Sequence, residues 1–78
     1  MIPKELTNLL DALESQGKAK GLTKAGTMTE LGYSESYLYR LRDGSRRPGH
    51  GFFIAIRKHY PSLKPLIWEY EESLAEGD

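Results

Sequence analysis

The chain of 78 residues contains no cysteine. Neither a disulfide nor a thiolate-bound metal can therefore hold it together, which fits a reducing compartment. Its apolar stretches fall well short of the roughly 18 consecutive residues of a membrane helix. The N-terminal segment lacks the charged-then-apolar order of a secretion signal. We therefore expect a soluble, cytoplasmic protein without a membrane partner.

Residues that carry catalysis are also scarce. His50 and His59 have no acidic or thiol neighbour at the spacing of metal ligands, so the sequence predicts no metal site. It contains no recognisable nucleophile–base pair and no glycine-rich phosphate loop. We expect no catalytic residues, no cofactor and no enzymatic activity.

Charge is balanced over the whole chain but uneven along it. Eleven basic and eleven acidic residues give zero net charge, whereas nucleic-acid-binding domains are usually basic. Residues 18–47 hold seven basic and three acidic side chains, and residues 69–78 hold five acidic and no basic ones. Such a molecule can present a positive surface to phosphate while its acidic end points away. We expect the acidic end to weaken non-specific binding to DNA.

Apolar spacing predicts an all-α chain of five helices, and its length allows one small domain. The predicted helices span residues 3–16, 23–31, 34–43, 52–60 and 62–75. Four leucines of the first helix recur at the i, i+3, i+4, i+7 spacing of a buried face, namely Leu6, Leu9, Leu10 and Leu13. Their regular spacing predicts that the first helix lies against the core.

Glycine and hydroxyl residues mark the expected helix ends. Gly17, Gly32 and Gly44 each follow a predicted helix, where a left-handed conformation would close it. Thr23 and Ser34 stand where the second and third helices begin, and both are good N-cap residues.

The segment from Thr23 to Arg47 has the pattern of a nucleic-acid reader. A helix about 10–12 Å across fits the major groove, which is roughly 12 Å wide. In the third predicted helix, Leu38 and Leu41 face inward with Tyr33 just before them, which leaves polar side chains on the front. We therefore expect residues 33–42 to lie in the major groove of double-stranded DNA.

Two sets of side chains are candidates for contact with DNA. For the bases they are Glu35, Ser36, Tyr39 and Arg40, among which arginine suits guanine and glutamate suits cytosine. For the phosphates they are Lys24, Tyr37, Arg42, Ser45, Arg46 and Arg47. The alternative for Arg40 and Arg42 is that they are solvated helix charges, and for Glu35 that it only complements the helix dipole. Because Tyr37 and Tyr39 lie two residues apart, one should pack and the other should lie near DNA.

Nine residues match a known pattern in order: Thr23, Leu31, Gly32, Tyr33, Ser34, Leu38, Leu41, Gly44 and Pro48. In this respect the chain resembles the helix-turn-helix of lambda-repressor-like regulators of the Cro/C1 type, over residues 3–63. The resemblance implies a five-helix lambda-repressor-like fold. We expect residues 1–63 to form the helix-turn-helix DNA-binding domain, and residues 64–78 to form the C-terminal helix and acidic tail that mediate dimerisation. Lys24 stands where the family usually has glutamine, and Thr27 and Met28 stand where it has leucine and alanine. We expect the bulkier Met28 to open the angle between the second and third helices.

The last predicted helix is more apolar than a small core requires. Its apolar residues are Leu66, Ile67, Trp68, Tyr70 and Leu74, and Trp68 falls off the stripe formed by the other four. A tryptophan beside an apolar stripe suggests an interface, so we expect a homodimer through these five residues. A dimer would place two recognition helices about one DNA turn, ~34 Å, apart on a palindrome. The alternative is that this helix only covers the core of the monomer.

These observations predict sequence-specific binding of double-stranded DNA by a small, dimeric transcriptional regulator. Repression by occupying a promoter is the simplest activity for a chain of this size, and regulators of phages, plasmids or mobile elements have similar sizes. The alternative is a protein-interaction module on the same fold, such as an antitoxin or an adaptor that binds a toxin or RNA polymerase. The zero net charge favours this alternative.

Overall fold

The computed structural model describes residues 2–76, which form five α helices, one short 3₁₀ turn and no strand. The helices are α1 (Lys4–Ala19), α2 (Lys24–Glu30), α3 (Glu35–Asp43), α4 (His50–His59) and α5 (Lys64–Glu76), and the 3₁₀ turn Pro61–Leu63 precedes α5. The expectation of an all-α chain with five helices is confirmed. None of these helices is both long enough and apolar enough to span a lipid bilayer.

The core lies around α1, which packs against α2, α5 and the 3₁₀ turn. All four leucines of its predicted stripe are buried, and the side chains of Phe52 and Ile56 on α4 and Ile67 on α5 are fully buried in the same cluster. Burying a side chain of this size contributes about 1.5–3 kcal/mol. The helix that the sequence predicted to face the core is therefore its centre.

Gly17 does not end α1, contrary to expectation. The helix continues to Ala19, and Gly21 takes the left-handed conformation instead, with φ of +84°. Gly17 is buried where α1 meets α2, and a Cβ atom at residue 17 would lie 2.0 Å from Thr27 Oγ1. This glycine therefore allows two helices to approach closely.

The turn between α2 and α3 forms as expected. Thr23 Oγ1 accepts a hydrogen bond from Gly26 N at 3.0 Å and so caps α2. Gly32 has φ of +88°, which an L-residue with a side chain rarely adopts. Ser34 occupies the N-cap position of α3 in an extended conformation, but its hydroxyl lies 2.9 Å from that of Ser36 and does not cap the backbone.

The last two helices differ from expectation at their N-terminal ends. α4 begins at His50, with Gly49 as its N-cap, and α5 begins only at Lys64 because the 3₁₀ turn occupies residues 61–63. α5 packs on α1 and α4 and contributes Ile67 and Tyr70 to the shared core. Residues 64–76 therefore complete the same core as residues 2–63. The acidic Asp78 lies outside the described residues.

A polar cluster ties the ends of α1, α2 and α4 together. Tyr60 donates a hydrogen bond to Glu30 Oε1 at 2.6 Å, and Lys20 Nζ lies 3.2 Å from Glu30 Oε2 and 4.3 Å from the centre of the Tyr60 ring. The Tyr60 hydroxyl is the main cause that lowers the pKa of Glu30. Burial, followed by the bond to Glu30, raises the pKa of Tyr60 to about 12.

Candidate nucleic-acid interface

α3 has a buried side and an exposed side. Leu38 and Leu41 are 1% and 0% exposed, and they join Met28 and Leu31 of the preceding segment in the core. Gly44 ends α3 in the left-handed conformation, with φ of +85°. The apolar residues of α3 thus fix which side of the helix faces solvent.

Three of the four predicted base-contacting side chains, those of Ser36, Tyr39 and Arg40, are exposed. Glu35 is partly buried and accepts a hydrogen bond from the Tyr39 hydroxyl at 3.0 Å. This bond raises the pKa of Tyr39 above its ordinary value. Arg40 forms no ion pair with any carboxylate of residues 2–75, so its guanidinium is open to a ligand.

The loop after α3 folds back onto the end of that helix. Arg46 N donates to Arg40 O at 3.1 Å, and Ser45 N donates to Asp43 Oδ1 at 2.8 Å. Hydrogen bonds from Ser45 lower the pKa of Asp43. The side chains of Ser45, Arg46 and Arg47 are exposed, and neither arginine pairs with a carboxylate of residues 2–75. The loop thus presents two open guanidinium groups just after α3.

Tyr37 packs between α3 and α4, and Tyr39 is the exposed member of the pair. The Tyr37 ring stacks on Tyr33 with centroids 4.6 Å apart and meets Phe52 edge-on at 5.4 Å. Its hydroxyl oxygen accepts a hydrogen bond from Gly49 N at 3.3 Å. Tyr37 is therefore the packing member of the pair, and the expectation that its hydroxyl contacts phosphate stays a prediction.

Arg42 and Lys24 are held by acidic residues of α1. Arg42 Nη2 lies 2.8 Å from Asp11 Oδ1, Arg42 Nε lies 3.0 Å from Glu14 Oε2, and Arg42 Nη2 also contacts that oxygen. Partial burial alone would lower the pKa of Arg42, but the hydrogen bonds to Glu14 and Asp11 raise it. Lys24 Nζ lies 3.6 Å from Glu14 Oε1. In this structure Arg42 fixes α3 on α1, and its expected role as a phosphate ligand stays a prediction that would require these bonds to open.

Sequence reasoning missed Asp11 and Glu14 because the signal is weak. They lie three residues apart on α1, beside the buried leucine stripe, and look like ordinary solvated charges. Their partner Arg42 is 31 and 28 residues away. No local spacing rule connects residues so far apart in the chain.

The residues expected to form one dimer surface on α5 are divided between core and solvent. Ile67 and Tyr70 are 0% and 4% exposed, so the expectation for them is corrected: they are core residues. Leu66 is partly buried, and Trp68 and Leu74 are 62% and 47% exposed. At about 100° per residue, Trp68 and Leu74 point about 120° apart around the helix. They therefore do not form one patch.

Comparison of the chain with protein-family models, with curated proteins and with solved structures finds no match. Within the described residues there is no cluster of three or more histidine, cysteine, aspartate or glutamate side chains able to hold a metal ion.

Proposed function

We propose that this chain binds double-stranded DNA in a sequence-specific way and acts as a small cytoplasmic transcriptional regulator, most simply a repressor. In this proposal α2 and α3 form a helix-turn-helix of the lambda-repressor-like type, and α3 enters the major groove. The observation that carries the proposal is the two-sided character of α3. Its apolar side is fixed in the core, while Ser36, Tyr39 and Arg40 are exposed.

Each exposed side chain suits a distinct role in the complex. Arg40 can donate two hydrogen bonds to guanine O6 and N7, and Ser36 can donate or accept at a base edge. Tyr39 offers its ring to a thymine methyl group, and Glu35 orients the Tyr39 hydroxyl through their hydrogen bond. When this bond opens, the Glu35 carboxylate can accept from cytosine.

Phosphate binding falls mainly to the loop after α3. Arg46 and Arg47 are exposed and have no described acidic partner, and Ser45 lies beside them. Lys24 can reach a phosphate only by leaving Glu14, from which it is 3.6 Å distant. We therefore expect about two to three phosphate contacts per chain, and a logarithmic salt slope of about −2 to −3 per chain.

Selection of bound duplexes from a random pool at roughly physiological salt is the direct test. Recovery of a common motif supports the proposal, and a two-fold motif would add that two chains bind together. If folded protein selects no motif, sequence-specific binding is refuted.

Arg40→Ala tests the assignment of the recognition surface. We expect a loss of ~1–3 kcal/mol in binding free energy and relaxed preference at one base pair, because one bidentate contact disappears. Binding can be measured by fluorescence anisotropy with the selected site and its single-base variants. Lys58→Ala, an exposed change near the far end of α4, serves as control. If Arg40→Ala binds every duplex as wild type does, the recognition surface lies elsewhere.

A protein-interaction module on the same fold is the second candidate function. Its supporting observations are the zero net charge and the pairing of Lys24 and Arg42 with acidic residues of α1. Its partner would be a toxin or RNA polymerase, and its binding would depend little on salt. DNA binding predicts affinity that falls steeply with salt, so a salt titration with each ligand separates the two candidates.

A further inference from the structure

One side of α5 carries a charge pattern that is complementary to itself. Lys64, Trp68 and Glu72 follow one another at i, i+4 and i+8, and all three side chains are exposed. Such residues form a row along one side of a helix. The row therefore runs from a positive charge through an apolar centre to a negative charge. Trp68 is 62% exposed and is the most exposed large apolar side chain described.

We propose that a second copy of this chain covers this row, with the two α5 helices antiparallel and a two-fold axis beside Trp68. In this arrangement the tryptophans of the two copies meet at the axis. Lys64 of one copy then lies opposite Glu72 and Glu71 of the other copy. Because a two-fold axis makes each contact twice, the pairing yields two equivalent sets of opposite charges.

The order of the charges along this row favours a second copy of the chain as the partner that covers it. A parallel pairing would set Lys64 against Lys64 and Glu72 against Glu72, which is repulsive. The antiparallel pairing turns the same residues into attractive pairs. The exposed neighbours Pro65 and Ala75 are uncharged and add apolar area at either end of the row. Arg57 Nη2 on α4 lies 3.5 Å from Glu71 Oε1 and partly neutralises that carboxylate. Glu72 is therefore the main acidic partner for Lys64 of the second copy.

The flanking groups limit the strength of this dimer. Glu5 of α1 and Glu69 line a shallow groove beside Trp68, and they bring extra negative charge to the edge of the interface. One tryptophan with a proline and an alanine gives a contact below the ~1,200 Å² of stable complexes. We therefore expect a dissociation constant for the dimer of about 10 µM to 1 mM, as for weak, small interfaces. The proposal is independent of DNA binding and is tested without DNA.

Sedimentation equilibrium over that concentration range gives the oligomeric state. The protein has one tryptophan, so the emission of Trp68 should shift to shorter wavelength as dimer forms and water leaves the ring. We expect both signals to follow one monomer–dimer curve. A mass that stays monomeric throughout overturns the proposal, as does dimerisation without a change in emission.

Charge reversal identifies the contact. Lys64→Glu should weaken the dimer at least about threefold, because two attractive pairs become repulsive. Lys64→Glu with Glu72→Lys should restore much of the loss by inverting the pairs. Both changes suit the α5 dipole, since they place an acid near its start and a base nearer its end, so the fold is retained. Lys58→Glu on α4 is the matched control.

Two results with these variants and with Trp68→Ala would overturn the proposal. The first is dimerisation that is equally strong in wild type, Lys64→Glu and Trp68→Ala, which would place the interface elsewhere. The second is a double variant that dimerises no better than Lys64→Glu alone, which would show that the two residues do not face each other.

Discussion

Two arginines two positions apart on α3 have different environments. Arg40 is exposed and forms no ion pair with residues 2–75, whereas Arg42 is bound by Asp11 and Glu14. In sequence both were candidates for DNA contact. The helical offset of about 200° between them places one on the free side and the other against α1. Residue type and spacing therefore could not distinguish the two arginines, because the environment of Arg42 depends on a contact across the fold.

The bound arginine should affect stability rather than electrostatic attraction to DNA. Arg42→Ala is expected to lower the free energy of unfolding by about 1–3 kcal/mol, because it leaves two carboxylates without their shared cation. The logarithmic salt slope of DNA binding should stay unchanged. Arg47→Ala should do the opposite, flattening the slope by about 1 with little effect on stability. Urea titration and salt-dependent anisotropy measure the two quantities.

If Arg42→Ala flattened the salt slope as much as Arg47→Ala, Arg42 would be a phosphate ligand. Its bonds to α1 would then be exchanged for DNA on binding.

The buried tyrosine at the end of α4 gives the fold a defined sensitivity to alkali. The pKa of Tyr60 is about 12, above its ordinary 10, so the folded state favours the neutral phenol. The stabilisation of the fold by the neutral Tyr60 phenol is complete below about pH 10, and it is lost as pH rises from about 10 through about 12. The difference in unfolding free energy between wild type and Tyr60→Phe should shrink over this interval. A difference that stays constant from pH 9 to 12 would contradict this.

At the scale of helices, their number and most of their ends follow from local chemistry. Thr23, Gly32 and Gly44 act where the sequence places them, because capping and left-handed backbone are local properties. Gly17 was misassigned because a glycine that ends a helix and one that allows two helices to touch look the same in sequence. Only the position of Thr27 on α2 distinguishes them.

The crossing of α1 and α2 should be intolerant of one added methyl group. Gly17→Ala is expected to destabilise the fold by about 1–3 kcal/mol through overpacking, although alanine is the better helix former. Adding Thr27→Ala should recover part of this loss, since it removes the two nearest side-chain atoms. Gly26→Ala on α2 meets its neighbours only at 3.4 Å or more and should stabilise by about 0.5–1 kcal/mol. Thermal or urea unfolding of these three variants and of Thr27→Ala alone gives the four changes in unfolding free energy.

Loss of stability in Gly26→Ala equal to that in Gly17→Ala would show that the crossing is not the cause. The same conclusion would follow if the loss of stability in the double variant equalled the sum of the losses in Gly17→Ala and Thr27→Ala.

For the molecule as a whole, the sequence left open whether α5 forms a dimer interface or covers the core of its own chain. Its stripe of apolar residues was visible in the sequence, but periodicity cannot tell whether a helix packs on its own chain or on another. In the structure α5 packs on α1 of its own chain, and Ile67 and Tyr70 belong to the same core as the α1 leucines. The exposed row through Trp68 is what remains for a partner.

Neighbouring residues of α5 should therefore differ sharply in their effect on folding. Ile67→Ala is expected to cost about 2–5 kcal/mol, as for other fully buried isoleucines, while Trp68→Ala should change stability by less than about 0.5 kcal/mol. Urea unfolding followed by circular dichroism measures both without relying on tryptophan emission. Equal costs for Ile67→Ala and Trp68→Ala would mean that α5 docks on the core through a different side.

Handedness is a further property of this chain. Gly21, Gly32 and Gly44 follow α1, α2 and α3, and each has φ between +84° and +88°. That region is strained for an L-amino acid and relaxed for its mirror image. A D-alanine at such a position would match the backbone while narrowing the freedom of the unfolded chain. In a chain of 78 residues, within reach of chemical synthesis, the helix ends are therefore natural sites for mirror-image residues.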